Sequence, residues 1–177
     1  MALFEEAVQA YSRSLEINPD DISAWNSLGI VLLTLEQYEE AVGAFELALA
    51  LDSTHASAWY HRGCAIAELK DYEEAVRSYC RALETNPDTI AVWNSMATAL
   101  YYLGRFEESL DACDLSLALD PENVAAWNSR GNALMSMENH KEALEAYNRV
   151  LAIEPEYGRA WYNKGVALTK LRPGDTC

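Results

Sequence analysis

The stretch HRGCAIAE places His61, Cys64 and Glu68 at i, i+3 and i+7, so on a helix they share one face. An imidazole, a thiol and a carboxylate in that arrangement are half of a metal site, or the start of a Cys–His nucleophile pair. Completing either requires ligands from a neighbouring segment. The residues 34 positions before and after are Ser27, Ile30 and Thr34, then Ser95, Thr98 and Tyr102. None is a good soft ligand, so the shell would stay incomplete. Elsewhere there is no glycine-rich phosphate loop, no G-x-S-x-G, no H-E-x-x-H and no paired Cys or His spacing of a zinc site. The cysteines Cys64, Cys80, Cys113 and Cys177 form no C-x-x-C pair, and three of them stand where helices pack small residues, which reads as reduced thiols. The expectation is a protein that is not an enzyme, with no catalytic residue, metal or cofactor.

A second chemistry recurs more regularly. Asn26, Asn94 and Asn128 each follow a tryptophan, and Tyr60 and Tyr162 fill the same slot after Trp59 and Trp161. His61 and Asn163 come one residue later, while Asn132 and Tyr101 lie one and two helical turns beyond. A carboxamide both donates and accepts, so it can pair with a peptide backbone whatever side chains that peptide carries. Tyrosine adds contact area with few rotamers to freeze. These nine residues, Asn26, Tyr60, His61, Asn94, Tyr101, Asn128, Asn132, Tyr162 and Asn163, form the candidate peptide-binding set.

What positions them is a repeat. The tryptophans stand at 25, 59, 93, 127 and 161, always 34 apart. With Trp at position 4 of each unit, position 8 is Gly29, Gly63, Ala97, Gly131 and Gly165, and position 11 is Leu32, Ile66, Leu100, Leu134 and Leu168. Positions 4, 8 and 11 make one helical stripe. Positions 17, 20, 24 and 28, such as Tyr38, Ala41, Phe45 and Leu49, make a second. Two helices per unit follow, and the Gly/Ala column lets their backbones approach. Asp71 with Glu74, and Asn139 with Glu142, have capping-box spacing at the start of second helices. Pro19, Pro87, Pro121 and Pro155 at position 32 stop them, with Asp, Thr or Asn nearby to cap the next helix.

The W-x-x-L-G…A…F/Y…A…P pattern at this period resembles the tetratricopeptide repeat over residues 3–171. The resemblance implies an all-α fold of about ten helices, antiparallel pairs stacked in a right-handed superhelical solenoid. The organisation expected is one solenoid over 1–171: a half repeat 1–21, full repeats 22–55, 56–89, 90–123 and 124–157, and a half repeat 158–171, with a disordered tail at 172–177. The resemblance also implies that positions 2, 5, 6, 9, 12 and 13 line a concave groove where peptides bind. Tryptophan then repeats because it packs the helix pair, and the residues after it vary with the ligand. Across those six columns the only charges are Glu68, Arg159 and Lys170. Family members that grip the acidic C-terminus of a chaperone carry Lys at 5 with Asn at 9, then Asn at 6, then Lys at 2 with Arg at 6. No Lys stands at position 5 here, so that activity is not implied.

The third repeat departs from the pattern, with Ala97 for Gly, Ser109 for Ala, Cys113 for an aromatic ring and Ser116 for Ala, which points to local repacking. His140 replaces an aromatic at position 17, and basic residues at position 7 (Arg62, Arg130, Lys164) can lay their stems over the neighbouring surface. The net charge of −15 repels phosphate backbones, so no nucleic acid is expected. No apolar stretch approaches the roughly 20 residues of a membrane span, and MALFEEAVQ lacks the pattern of a signal peptide. A cytoplasmic protein–protein interaction scaffold is therefore expected. The alternatives are a solenoid that self-associates head to tail through Leu3, Phe4 and Val8 at one end and Val166, Leu168 and Leu171 at the other, or the targeting region of a larger enzyme.

Overall fold

The computed structural model describes residues 2–171, which contain ten α-helices and no strand. The tail expected at 172–177 lies outside the described residues. The chain divides into two compact units, Met1–Asp88 and Thr89–Cys177. The first holds α1 (Ala2–Ile17), α2 (Ile22–Thr34), α3 (Tyr38–Leu51), α4 (Ala56–Glu68) and α5 (Tyr72–Thr85). The second holds α6 (Ile90–Tyr102), α7 (Phe106–Leu119), α8 (Val124–Ser136), α9 (His140–Ile153) and α10 (Gly158–Lys170). Within each unit every helix packs on the next in chain order. First helices of neighbouring repeats also touch: α2 on α4, α6 on α8, and α8 on α10. The result is all-α, built from antiparallel helix pairs.

The helix pairs close on a ring set into a notch. Phe45, Tyr79 and Tyr147, at position 24, are among the largest fully buried side chains. Each lies against the position-8 glycine of its partner helix. A Cβ built on Gly29, Gly63 or Gly131 would stand 2.5 Å from a ring carbon of Phe45, Tyr79 or Tyr147 respectively. The departures in the third repeat now have a common cause. Ala97 fills the notch with its own methyl, so position 24 must shrink, and fully buried Cys113 stands there. Ser109 Oγ, buried beside this pair, donates to Ala97 O at 2.7 Å.

The tryptophans behave differently from the sequence reading. Trp25, Trp59, Trp93 and Trp127 are half-buried and Trp161 is exposed, so the core of each pair is built on the position-24 side chain, a ring or Cys113, rather than on the indole. The indole N–H explains the fixed spacing. Trp25 donates to Pro19 O, Trp59 to Ser53 O, Trp127 to Pro121 O and Trp161 to Pro155 O, all at 2.8–2.9 Å. Each of these tryptophans therefore staples the turn that leads into its own helix. Position-7 cations cover the outer side of the ring: Arg62 over Trp59, Arg130 over Trp127 and Lys164 over Trp161, 4.9–5.9 Å from the ring centroids. Arg62 also reaches Glu74 Oε1 at 2.8 Å, Ser78 Oγ at 2.6 Å and Glu46 Oε1 at 3.1 Å, which ties α3, α4 and α5 together.

Local chemistry starts and ends the helices. Asp21, His55 and Asn123 cap first helices by accepting the N–H of Ala24, Ala58 and Ala126 at 3.0–3.1 Å. Asp71 accepts Glu74 N–H at 3.1 Å as its spacing predicts. Asn139 makes no such cap and instead donates to the Glu142 carboxylate at 2.7 Å. Inside each repeat the turn passes through a left-handed residue at position 15: Glu36, Lys70, Gly104 and Glu138, with φ of 60–74°. The following N–H closes back on the last turn, Gln37 to Leu32 O and Asn139 to Leu134 O at 2.9 Å, in a Schellman arrangement.

Gly131→Ala should lower unfolding free energy by about 1–3 kcal/mol, because the Tyr147 ring has to move. Gly43→Ala, where a Cβ meets nothing within 4 Å, should instead raise it by about 0.5–1 kcal/mol. Urea denaturation of the two variants checks both signs.

Candidate interaction face

Within Met1–Asp88 the candidate residues lie on α2 and α4. Asn26 is half-buried, and its Oδ1 is fully buried with no hydrogen-bond partner. The Tyr60 ring sits 4.9 Å from His61 and 6.2 Å from Tyr79. His61 stacks on Phe45 at 5.9 Å with planes 20° apart, so it backs the ring that fills the Gly29 notch. Its Nδ1 stands 2.8 Å from Ser57 O; a carbonyl only accepts, so that nitrogen carries the hydrogen. Burial lowers the His61 pKa from its ordinary value; the Ser57 bond opposes the shift and the charge of His55 adds to it.

His61, Cys64 and Glu68 do not assemble into a metal site. Tyr79 Oη lies 3.8 Å from Cys64 Sγ, and His61 is held by Ser57. Among the described residues no group of three or more His, Cys, Asp or Glu could hold a metal ion. Burial pushes the Cys113 thiol up to about 12, so it is an inert packing group. None of the described helices is long and apolar enough to cross a membrane.

Within Thr89–Cys177 five of the nine candidates meet. Tyr101 and Asn132 line both of two adjoining hollows. The smaller, about 140 Å³, is walled further by Asn128 and by Thr98, Tyr102, Ser129 and Arg159. The larger, about 290 Å³, adds Tyr162, Asn163, Met135 and Val166. Asn132 Oδ1 accepts from Tyr147 Oη at 2.9 Å and from Asn163 Nδ2 at 3.0 Å, so a first-helix amide is locked both to the core ring and to the next first helix. Ser136 Oγ donates to Tyr101 Oη at 3.3 Å. Thr98, Tyr102, Ser129 and Arg159 were outside the candidate set. They occupy positions 9, 13, 6 and 2 of the same columns, so the repeat alignment already carried the signal that could have found them.

Asn94 belongs to a different arrangement. Its Oδ1 accepts from Ser116 Oγ at 2.8 Å, its Nδ2 donates to Asn123 Oδ1 at 3.4 Å, and Asn123 Nδ2 donates to Ser116 Oγ at 3.3 Å. Asn123 is also the cap of α8, so this asparagine holds a helix start in place. Position 5 is uneven: Asn128 is only 7% exposed, whereas Tyr162 is 73% exposed. The partner in the third repeat is the hydroxyl of Ser116 at position 27. Ala48 and Val150 stand there in the repeats of Asn26 and Asn128, and in those repeats Oδ1 is buried and unpaired.

The fold defines a class: helical-pair repeat proteins, here with polar and aromatic side chains gathered on the first helices. Four family models match the chain: tetratricopeptide repeats at residues 26–89, 90–123 and 124–157, and a TPR repeat at 4–35. The chain belongs to the tetratricopeptide repeat family, and its fold is an all-α TPR solenoid. Solved structures agree at the level of fold. YrrB, described as a TPR protein with an unusual peptide-binding site, is 24% identical with a TM-score of 0.78, over 92% of this chain and 84% of that one. MamA from Desulfovibrio magneticus RS-1 is 23% identical with a TM-score of 0.82, over 87% of each chain. TTC0263, a thermophilic TPR protein in Thermus thermophilus, is 19% identical with a TM-score of 0.72, over 94% and 91%. A sequence search of curated proteins finds no match.

Ser116→Ala takes from Asn94 Oδ1 its hydroxyl partner, and from the buried Asn123 Nδ2 its acceptor, and should cost about 1–3 kcal/mol in urea denaturation, with an unchanged m-value. The His61 shift sets a pH dependence. Because its folded pKa is below the ordinary 6.5, the unfolded chain takes up the proton first. The stability it contributes is present above about pH 6.5 and is lost as pH falls toward the folded value. His61→Asn should flatten the decline in thermal midpoint over that range, read by circular dichroism.

Proposed function

We propose that this protein is a non-catalytic scaffold that binds a peptide or protein segment on the face lined by its first helices, acting in the cytosol. The observation that carries this reading is the convergence of Tyr101, Asn128, Asn132, Tyr162 and Asn163 around two adjoining hollows. Amides held in position lose little freedom when a ligand arrives, and tyrosine walls supply contact area. Asn26, Tyr60 and His61 extend the same columns in the other compact unit, and Asn94 contributes by holding the start of α8. The peptide-binding site attributed to YrrB supports the reading by analogy of fold. Phosphate-rich partners fit poorly with a net charge of −15.

A rival reading, head-to-tail self-association, is favoured by the exposure of Leu3 and Phe4 on α1 and of Leu168 on α10. It requires a mass that rises with concentration and that falls back when Leu3 and Phe4 are replaced by serine.

A peptide-display selection against the purified chain, run beside the Asn128→Ala/Tyr101→Ala double variant, tests the groove. Enriched peptides should bind the variant at least tenfold more weakly. Its helicity and thermal midpoint should stay close to the parent, since removing the Asn128 amide also removes an unpaired buried oxygen. Enrichment that ignores the variant would move binding to another surface.

A further inference from the structure

Resting on that reading, we infer that the hollow between α6, α8 and the start of α10 holds the carboxylate of an aspartate or glutamate side chain within an extended segment of the partner. Asn132 Oδ1 already accepts two hydrogen bonds, from Tyr147 and Asn163, so the group this amide offers is Nδ2. Asn128 lines the same hollow, and its Oδ1 is buried out of reach, so Nδ2 is the polar atom left to meet a ligand. Tyr101 Oη accepts from Ser136 and keeps its own hydrogen to donate. Arg159 adds a guanidinium, which only donates. No acidic side chain lines the hollow, although the chain carries 28 of them. Thr98 gives its hydroxyl hydrogen to Asn94 O and is left with lone pairs, so the donors are the two amides and Tyr101, beside the one positive charge of Arg159.

Such a wall selects oxygen acceptors bearing one negative charge. A phosphate would bring nearly two charges against a single arginine inside a strongly acidic protein. A peptide carbonyl would leave the guanidinium without a counter-charge. The volume of about 140 Å³ accommodates a carboxyl group and its methylenes. The adjoining hollow of about 290 Å³, with Met135, Tyr162 and Val166 in its wall, suits an apolar side chain close by in the same segment. The hollow therefore reads an internal acidic residue next to an apolar one, and a free chain terminus is not required.

The cost of burying the Asn128 oxygen points the same way. The third repeat shows that a hydroxyl at position 27 satisfies a position-5 amide, yet Val150 occupies that place beside Asn128. The amide is retained there without its internal partner, as it would be if its nitrogen serves a ligand.

Fluorescence polarisation on the full chain tests the inference with short labelled peptides, acetylated and amidated at their ends. Each carries one glutamate beside leucine or tyrosine, and is matched by versions with glutamine, lysine or phosphoserine at that place and by one with a free C-terminal carboxylate. The glutamate peptide should bind about tenfold tighter than its glutamine match. That preference should vanish in Arg159→Gln, survive in Arg149→Gln, and pass to the lysine peptide in Arg159→Glu. Equal binding of glutamate and glutamine peptides, or a preference that survives Arg159→Gln, overturns the carboxylate site. If those same neutral peptides still lose affinity in the Asn128→Ala/Tyr101→Ala variant, the groove reading stands without it. Tighter binding of phosphoserine, or a requirement for the free terminus, replaces this ligand with another. If no peptide of any charge binds, both readings fail.

Discussion

Everything in this solenoid rests on how closely two helix backbones can approach at one point. A first helix with no side chain at position 8 admits an aromatic ring from the second helix, and the ring becomes the largest buried object in the repeat. Dense packing of that kind has little slack, so a single methyl decides what can stand opposite it. The third repeat obeys the same constraint from the other side: alanine in the notch, cysteine across from it, and serine hydroxyls filling the remaining space with hydrogen bonds to a carbonyl and an amide. Its irregularity is a second solution to one steric equation.

Because the notch fixes the spacing of each pair, the polar side chains of the first helices are placed with little freedom of their own. The amides along that face take two roles. Asn94 is spent on holding the next helix start, through Ser116 and Asn123. Asn132 is locked through its oxygen by the core tyrosine of its own repeat and by Asn163 of the next, which leaves its nitrogen uncommitted. The same ring that closes the pair thus orients a group on the exposed face: Tyr147 fills the Gly131 notch with its carbons and aims Asn132 with its hydroxyl. Burial raises the pKa of that phenol, so it stays protonated and keeps donating.

How far these features could be read without coordinates varies with their physical origin. The helix pairs, the glycine and aromatic columns and the caps at Asp21, Asp71 and Asn123 follow from periodicity and local chemistry, and the structure holds them. The tryptophan was harder. Its spacing is obvious in the sequence, but the bond from its indole to a carbonyl six residues earlier depends on the path of a turn, and size alone suggested burial. Position 15 was illegible for a related reason. Only Gly104 advertises a left-handed turn, while Glu36, Lys70 and Glu138 adopt one because the closing hydrogen bonds outweigh their steric cost. The direction of an amide is the least legible feature. Asn94, Asn26 and Asn128 share a column and a residue type, and what separates them is the residue at position 27, on another helix.

The staple between a tryptophan and the turn before it also bears on how the chain reaches this fold. The bond spans only six residues, the caps span three and the closing bonds of the inner turns five. Most ordering decisions are therefore made between near neighbours, giving a low contact order and rapid folding for a chain of this length. They also recur from unit to unit, so structure can nucleate at any repeat and spread to its neighbours. Chain collapse then has no privileged starting point, and local opening of one repeat leaves the joints of the others closed.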